Sequence, residues 1–300
     1  MPVSVKHLLT LLRPRQWVKN LFLFAPLIFS KHLFEENSFL TALAGFFSFC
    51  FLSSGVYVVN DIFDREADKS HPIKRNRPIA AGLVPVGSGI AVAAILILLA
   101  AAIASFLNSS FQRTAGLYLL LNLSYSMRLK HVILLDVFII AAGFMLRVLA
   151  GAFVIEVEVS HWLVLCTLFV SLFLALSKRR GELLLERVTG EVSGREVLKE
   201  YDTAFADQMI TISASGMAIS YALYTVAERT VTMFKTENLI FTTVFVLFGI
   251  FRYLYLLKKK STEDNPTLIL VTDPVMMINI AAWFLACVAI IYSTELQTWF

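Results

Sequence analysis

The stretch Asn60-Asp61-Ile62-Phe63-Asp64-Arg65-Glu66-Ala67-Asp68 closes a long apolar run, so three aspartates and an asparagine gather where a hydrophobic segment ends. Continued as a helix, Asp61, Asp64 and Asp68 fall at i, i+3 and i+7 and share one face. Carboxylates crowded in this way repel unless something positive lies between them. Mg²⁺ answers that need, because it takes hard oxygen ligands and keeps positions open for substrate phosphates. The alternative is a solvated acidic helix end. The cations that follow, Lys74, Arg75 and Arg77, favour phosphate chemistry: a metal-bound diphosphate keeps negative charge that Arg or Lys can take up. The same cations also suit a purely topological role on the cytoplasmic side of a membrane. Pro72 and Pro78 stop helix propagation and stiffen the basic turn.

A second charged group, Lys178-Arg179-Arg180 with Glu182 and Glu186, follows another apolar run. Glu182 and Glu186 lie at i, i+4 and share a helical face, either as a second carboxylate pair or as partners of Lys178 and Arg179 within one helix. Asp202 and Asp207 add further carboxylates nearby in sequence. A third group is Tyr125, Arg128 and Lys130, followed by Asp136 and Arg147 inside an apolar stretch. Asp136, Ile140, Gly143 and Arg147 run down one face. At 1.5 Å per residue Asp136 and Arg147 stand about 16 Å apart, so each needs a partner on another helix or on a ligand. At the N-terminus, Arg13-Pro14-Arg15-Gln16-Trp17-Val18-Lys19-Asn20 offers Trp17 as an interfacial anchor and Lys19 and Asn20 as residues aimed into the bundle.

The elements that must position these residues are membrane helices. The 300-residue chain is 58% hydrophobic and 16% charged, with mean hydropathy +0.73, the profile of a polytopic membrane protein. An all-α bundle of about nine transmembrane helices is expected, at about 17–34, 38–59, 88–107, 112–128, 132–154, 160–178, 205–227, 237–257 and 274–294. With the N-terminus in the cytoplasm, 21 of the 26 lysines and arginines fall on the cytoplasmic side and four on the other, and Arg147 alone lies within a span. The reading is a single integral membrane domain over 1–300, multi-pass in the cell (inner) membrane, with cytoplasmic cap loops near 60–87 and 178–203. The N-terminal segment lacks a small-residue cleavage site and reads as a retained first helix. Cys50, Cys166 and Cys287 fall within spans without metal-ligand spacing and read as packing residues. No nucleic-acid partner is expected, and homo-oligomerisation is left open.

Asn60 to Asp68 matches the NDxxDxxxD signature of the UbiA superfamily of intramembrane prenyltransferases, and with the helix pattern it makes the chain UbiA-like. The chain is most similar to the decaprenyl-phosphate phosphoribosyltransferase branch, through LRPRQWVKNLFLFAPLIFS at 12–30, HPIKRNRPIAAG at 71–82, YSMRLKHVILLDVF at 125–138, GFMLRVLAGA at 143–152 and SKRRGEL at 177–183. This resemblance implies transfer of 5-phosphoribose from phosphoribosyl pyrophosphate to a polyprenyl phosphate lipid, releasing pyrophosphate. It implies Mg²⁺ on Asp61, Asp64 and Asp68, which would be the catalytic residues. Substrate-binding residues would be Lys19, Asn60, Lys74, Arg75, Arg77, Tyr125, Arg128, Lys130, Arg147, Lys178, Arg179, Arg180 and Glu182. Many members carry a second DxxxD motif. Here Glu182 and Glu186 stand near that place behind three cations, which suits a donor bearing an extra phosphate. Two alternatives remain open: an aromatic prenyltransferase using a prenyl diphosphate, and a transporter or lipid-binding protein without chemistry.

Overall fold

The computed structural model describes residues 5–70, 74–189, 196–259 and 272–293, and no strand occurs among them. Among the described residues, seven helices are long and apolar enough to cross a membrane: Glu36–Phe63, Val86–Ala104, Leu135–Val154, His161–Arg187, Thr203–Val226, Asn238–Lys259 and Pro274–Ile291. We label the α-helices α1 (Val5–Leu12), α2 (Ala25–Phe29), α3 (Glu36–Phe63), α4 (Arg65–Lys69), α5 (Val86–Ala104), α6 (Ser109–Met127), α7 (Leu135–Val154), α8 (His161–Thr189), α9 (Thr203–Val226), α10 (Glu228–Phe234), α11 (Thr243–Lys259) and α12 (Pro274–Ile291). Leu98, Leu120, Phe251 and Ile278 are each more than 60% exposed, a surface suited to hydrocarbon rather than water.

The count of seven, against the nine expected from sequence, has two causes. Residues 17–34 are not one α-helix. Pro14–Phe24 is a 3₁₀ thread, and α2 follows with Pro26 in its first turn, where the missing N–H costs no helical hydrogen bond. The thread lies directly on α7: a Cβ at Gly151 would come within 1.9 Å of the Leu23 carbonyl oxygen. The other case is α6. Its 19 residues reach about 28 Å, close to the ~30 Å hydrocarbon core, but Gln112, Arg113 and Asn122 make it less apolar than the rest.

The two expected cap loops are more ordered than loops. Between α3 and α5 the chain forms α4 and a 3₁₀ turn over Lys74–Asn76, and the Val84 N–H donates to the Pro78 carbonyl at 3.0 Å. Pro72 lies outside the described residues. The second expected loop, from 178, begins as helix, because α8 runs on to Thr189. Ion pairs one turn apart, Lys178 with Glu182 (3.9 Å) and Arg179 with Glu182 (2.5 Å), support this polar extension. Residues 190–195 of that loop lie outside the described ones.

The chain divides into two compact units, Met1–Val159 with Gly190–Glu200, and Ser160–Thr189 with Tyr201–Phe300. In the first, α3 packs against α5, α6, α7 and the 3₁₀ thread. Its core holds Leu23, Leu27, Phe49, Leu52, Phe111, Tyr118, Leu146 and Ala150. In the second, α8 packs on α9 and α11 on α12. These helices border an apolar hollow of about 200 Å³ lined by Phe173, Met217, Tyr253 and Trp283 among others. The Trp283 indole donates to the Tyr221 hydroxyl at 2.9 Å, and that hydroxyl meets Thr242 Oγ1 at 2.6 Å.

Candidate active site

The aspartates sit where α3 ends. The helix is interrupted only at Asp64, whose N–H still reaches the Asn60 carbonyl at 2.9 Å and whose carbonyl accepts from the Asp68 N–H at 2.8 Å. The one-face register expected from sequence is therefore nearly kept across the break. Asp61 and Asp68 are buried and Asp64 is partly so.

The positive charge among these carboxylates comes from side chains. Arg13 Nη2 donates to both oxygens of Asp61, at 2.5 and 2.7 Å. Arg77 Nη1 bridges Asp61 Oδ1 at 3.1 Å and Asp68 Oδ2 at 2.7 Å. Lys130 pairs with Asp64 Oδ1, while Asn60 Nδ2 donates to Asp64 Oδ2 at 2.9 Å. The Ser126 hydroxyl in turn donates to Asn60 Oδ1 at 3.1 Å. Burial raises the Asp68 carboxyl above the ordinary aspartate range; Arg77 opposes the rise, and Asp61 and Asp64 add to it.

Among the described residues, no three acidic or histidine side chains stand close enough to hold a metal ion as they are. The Arg77 guanidinium is shared between Asp61 and Asp68. Every acceptor in the cluster is a carboxylate or amide oxygen, the hard donors that Mg²⁺ prefers. By donor chemistry these residues could hold such an ion.

A second polar group lies within the same unit. Arg147 is buried, and Nε donates to Asn20 Oδ1 at 2.7 Å, Nη2 to the Tyr118 hydroxyl at 2.8 Å and Nη1 to the Gly143 carbonyl at 2.8 Å. Its guanidinium also lies over the Tyr118 and Phe144 rings at 4.7 and 5.3 Å. Its partners thus come from α6 and the 3₁₀ thread as well as its own helix, and they are neutral. Asn20 is fully buried and also donates to Ser53 Oγ at 3.2 Å. Half-buried Lys19 lies near Tyr57, which stands one turn before Asp61 on α3. Asp136 is buried at the start of α7.

Of the remaining candidates in this unit, Tyr125 and Lys74 are half-buried, and Arg75 and Arg128 are exposed. The second unit holds the Lys178 group. Arg179 is fully enclosed against Glu182, with Lys178 at the rim of that pair. Arg180 Nε donates to Asp207 Oδ1 at 2.5 Å and Nη1 to the Leu257 carbonyl at 3.3 Å. Asp202 faces Arg187 at 3.6 Å.

Sequence reasoning did not single out Arg13, Tyr57 or Tyr118. Tyr57 stands one turn before Asp61, and Tyr118 two turns before Tyr125, so helical spacing was the available signal. Arg13 had only its place ahead of Pro14. It takes a left-handed backbone conformation, φ 49° and ψ 56°, which no sequence pattern specifies.

The family model described as "UbiA prenyltransferase family" matches residues 21–270. A decaprenyl-phosphate phosphoribosyltransferase of Corynebacterium glutamicum is 40% identical over 218 residues, 71% of this chain and 65% of that protein. A protein of the same name from Mycolicibacterium smegmatis is 35% identical over 224 residues, covering 73% of this chain and 70% of the other. A UbiA homolog from Archaeoglobus fulgidus, solved bound to GPP and Mg²⁺, superposes with a TM-score of 0.70 at 19% identity, covering 95% of this chain and 99% of that one.

Proposed function

Because the chain belongs to the UbiA prenyltransferase family, we propose that it transfers 5-phosphoribose from phosphoribosyl pyrophosphate to a polyprenyl phosphate. The bond from the ribose anomeric carbon to pyrophosphate breaks, the leaving group keeps the electron pair, and an oxygen of the acceptor phosphate bonds to that carbon. The observation that carries the reading is the 40% identity to a named decaprenyl-phosphate phosphoribosyltransferase, although the match spans only 65% of that protein.

Asp61, Asp64 and Asp68, with Asn60 beside them, would hold Mg²⁺, which when bound neutralises and polarises the pyrophosphate leaving group. Arg77 and Lys130 stand among those carboxylates and supply charge-assisted hydrogen bonds to phosphate oxygens. Lys74, Arg75 and Arg128 add exposed or half-exposed cations at the same end of the unit. Lys19, Tyr125 and Arg147 are proposed for a substrate phosphate or the ribose. The second unit brings its own phosphate cations, Lys178 and Arg180, with Arg179 and Glu182 fixing Lys178. The acceptor phosphate is already anionic, so no strong general base is needed, and positioning does the remaining work.

The whole chain acts, on this reading, as one membrane transferase over 1–300, in the inner membrane with its N-terminus and charged segments facing the cytoplasm. The lysine and arginine bias supports this orientation. It requires the 3₁₀ thread with α2, and also α6, to cross together with the seven longer helices. The deciding experiment supplies purified protein with labelled phosphoribosyl pyrophosphate, Mg²⁺ and several polyprenyl phosphates. A labelled lipid with matching pyrophosphate release is expected. Turnover of a prenyl diphosphate with an aromatic acceptor instead would replace this reading with the aromatic-prenyltransferase one, and no turnover at all would favour a transporter.

A further inference from the structure

The aspartate cluster is electrically complete without a metal. Asp61, Asp68 and Asp64 are matched by Arg13, Arg77 and Lys130 in that order; Arg13 donates to both oxygens of Asp61, and Arg77 also reaches Asp61. A divalent ion entering alone must displace cations that have no other acid to go to among these contacts, and it leaves the site with excess positive charge. An ion arriving with a diphosphate brings acceptors for the displaced cations and restores the balance.

We propose that Arg13 is a diphosphate-binding residue held in reserve on Asp61, and that with Arg77 and Lys130 it exchanges carboxylate for phosphate when metal and diphosphate enter together. The inference rests on the metal–diphosphate reading of this site. Arg13 is built for such a role. Its left-handed backbone (φ 49°) is a cost for a residue with a side chain, and such costs persist where surrounding structure enforces them. Here the enforcement is visible on both sides: Ser54 Oγ donates to the Leu12 carbonyl at 2.6 Å and accepts from the Trp17 indole at 3.0 Å. The guanidinium also lies 5.2 Å from the centre of the Tyr57 ring, a second contact that remains available after Asp61 is released.

The test is calorimetric and independent of turnover. Detergent-purified full-length protein is titrated with Mg²⁺ alone, with inorganic pyrophosphate in chelator, and with preformed Mg²⁺–pyrophosphate. For the wild type, the complex is expected to bind at least ten-fold more tightly than either component. In Arg13→Gln the two affinities move in opposite directions: Mg²⁺ alone binds several-fold more tightly than to the wild type, and the complex several-fold more weakly. Arg13→Gly, whose residue suits the left-handed backbone, repeats the measurement in a variant with no folding handicap at that position. Mg²⁺ alone binding the wild type as tightly as the complex does, or binding either variant more weakly than the wild type, overturns the exchange. Absence of any binding of the complex to the wild type overturns the metal–diphosphate reading itself, and this proposal with it.

Discussion

Replacing Arg147 with Met separates charge kept for structure from charge kept for function. The side chain is 4% exposed, and its three hydrogen bonds go to an amide oxygen, a phenol and a backbone carbonyl. Each such bond from a charged donor contributes about 1.5–3 kcal/mol, and the two ring contacts add roughly 0.5–2 kcal/mol each. Against them stands a desolvation penalty of several kcal/mol for a buried ion, with no carboxylate among its partners to offset it. At the low ends of these ranges the favourable terms come to about 5.5 kcal/mol, of the same order as that penalty. Met fills most of the same volume, and the Asn20 amide keeps its contacts to Cys50 and Ser53. Arg147→Met should therefore change stability by no more than about 2 kcal/mol, a shift of a few degrees in melting temperature for a chain of this size, while activity falls about 100-fold or more through loss of a positive group in the site. The assay pairs thermal unfolding in detergent with labelled-lipid formation by the same preparation. A collapse of the melting temperature by more than 10 °C with normal turnover of the surviving protein would show that Arg147 serves the fold alone.

Asp61→Asn and Asp64→Asn should each lower Mg²⁺-dependent pyrophosphate release by about 100-fold or more while the protein still inserts and elutes as the wild type does; normal activity in either would remove the metal-site assignment. Asp68→Asn should cost activity yet leave the melting temperature at pH 7 unchanged or raised. Its folded-state pKa lies above the unfolded value, so its ionisation opposes folding once pH has risen through the folded pKa. The gap between variant and wild type should close as pH falls below the unfolded aspartate value, and a variant less stable at pH 7 contradicts this. Gly151→Ala drives a methyl group to within 1.9 Å of the Leu23 carbonyl oxygen, a backbone clash no side-chain rotation relieves. A loss of about 1–3 kcal/mol and a drop in activity are expected, measured by thermal unfolding and turnover. Lys178→Ala should raise the concentration of phosphoribosyl pyrophosphate needed for half-maximal rate without altering Mg²⁺ binding, whereas Glu182→Gln, which strips Arg179 of a buried acid, should chiefly destabilise.

The helical membrane architecture and the aspartate face were legible because both follow from one-dimensional rules. Apolar length marks a span, and helical spacing puts Asp61, Asp64 and Asp68 together. Arg147 was legible for a similar reason, since a charge in an apolar run demands a partner. What was not legible depends on chains meeting in space. The spacing at 178–186 left Glu182 as either half of a carboxylate pair or a partner of Lys178 and Arg179, and it takes the structure to show that Arg179 closes on Glu182 as α8 runs past the apolar segment. Nothing in the cations at 74–77 distinguishes Arg77, which turns in to bridge two aspartates, from Arg75, which stays exposed. The spacing rules also overstate regularity, for they read 17–34 as one helix.

That irregular thread carries the most consequence for the site. A straight α-helix over Pro14–Phe24 would turn only one stripe of residues toward α3 and α7. The 3₁₀ path, tighter in turn and longer in rise, lets successive residues reach different neighbours: Arg13 to Asp61, Trp17 to Ser54, Lys19 to Tyr57, Asn20 to Arg147. One short segment thereby ties the aspartate cluster to the buried arginine, and Gly151 is the position on α7 that lets its backbone come close enough to do so. Restoring regular helix there would improve local hydrogen bonding and sever these ties. The poorer backbone geometry is thus retained by the contacts it makes, and a variant that straightens the thread should gain helicity by circular dichroism while losing Mg²⁺–pyrophosphate binding.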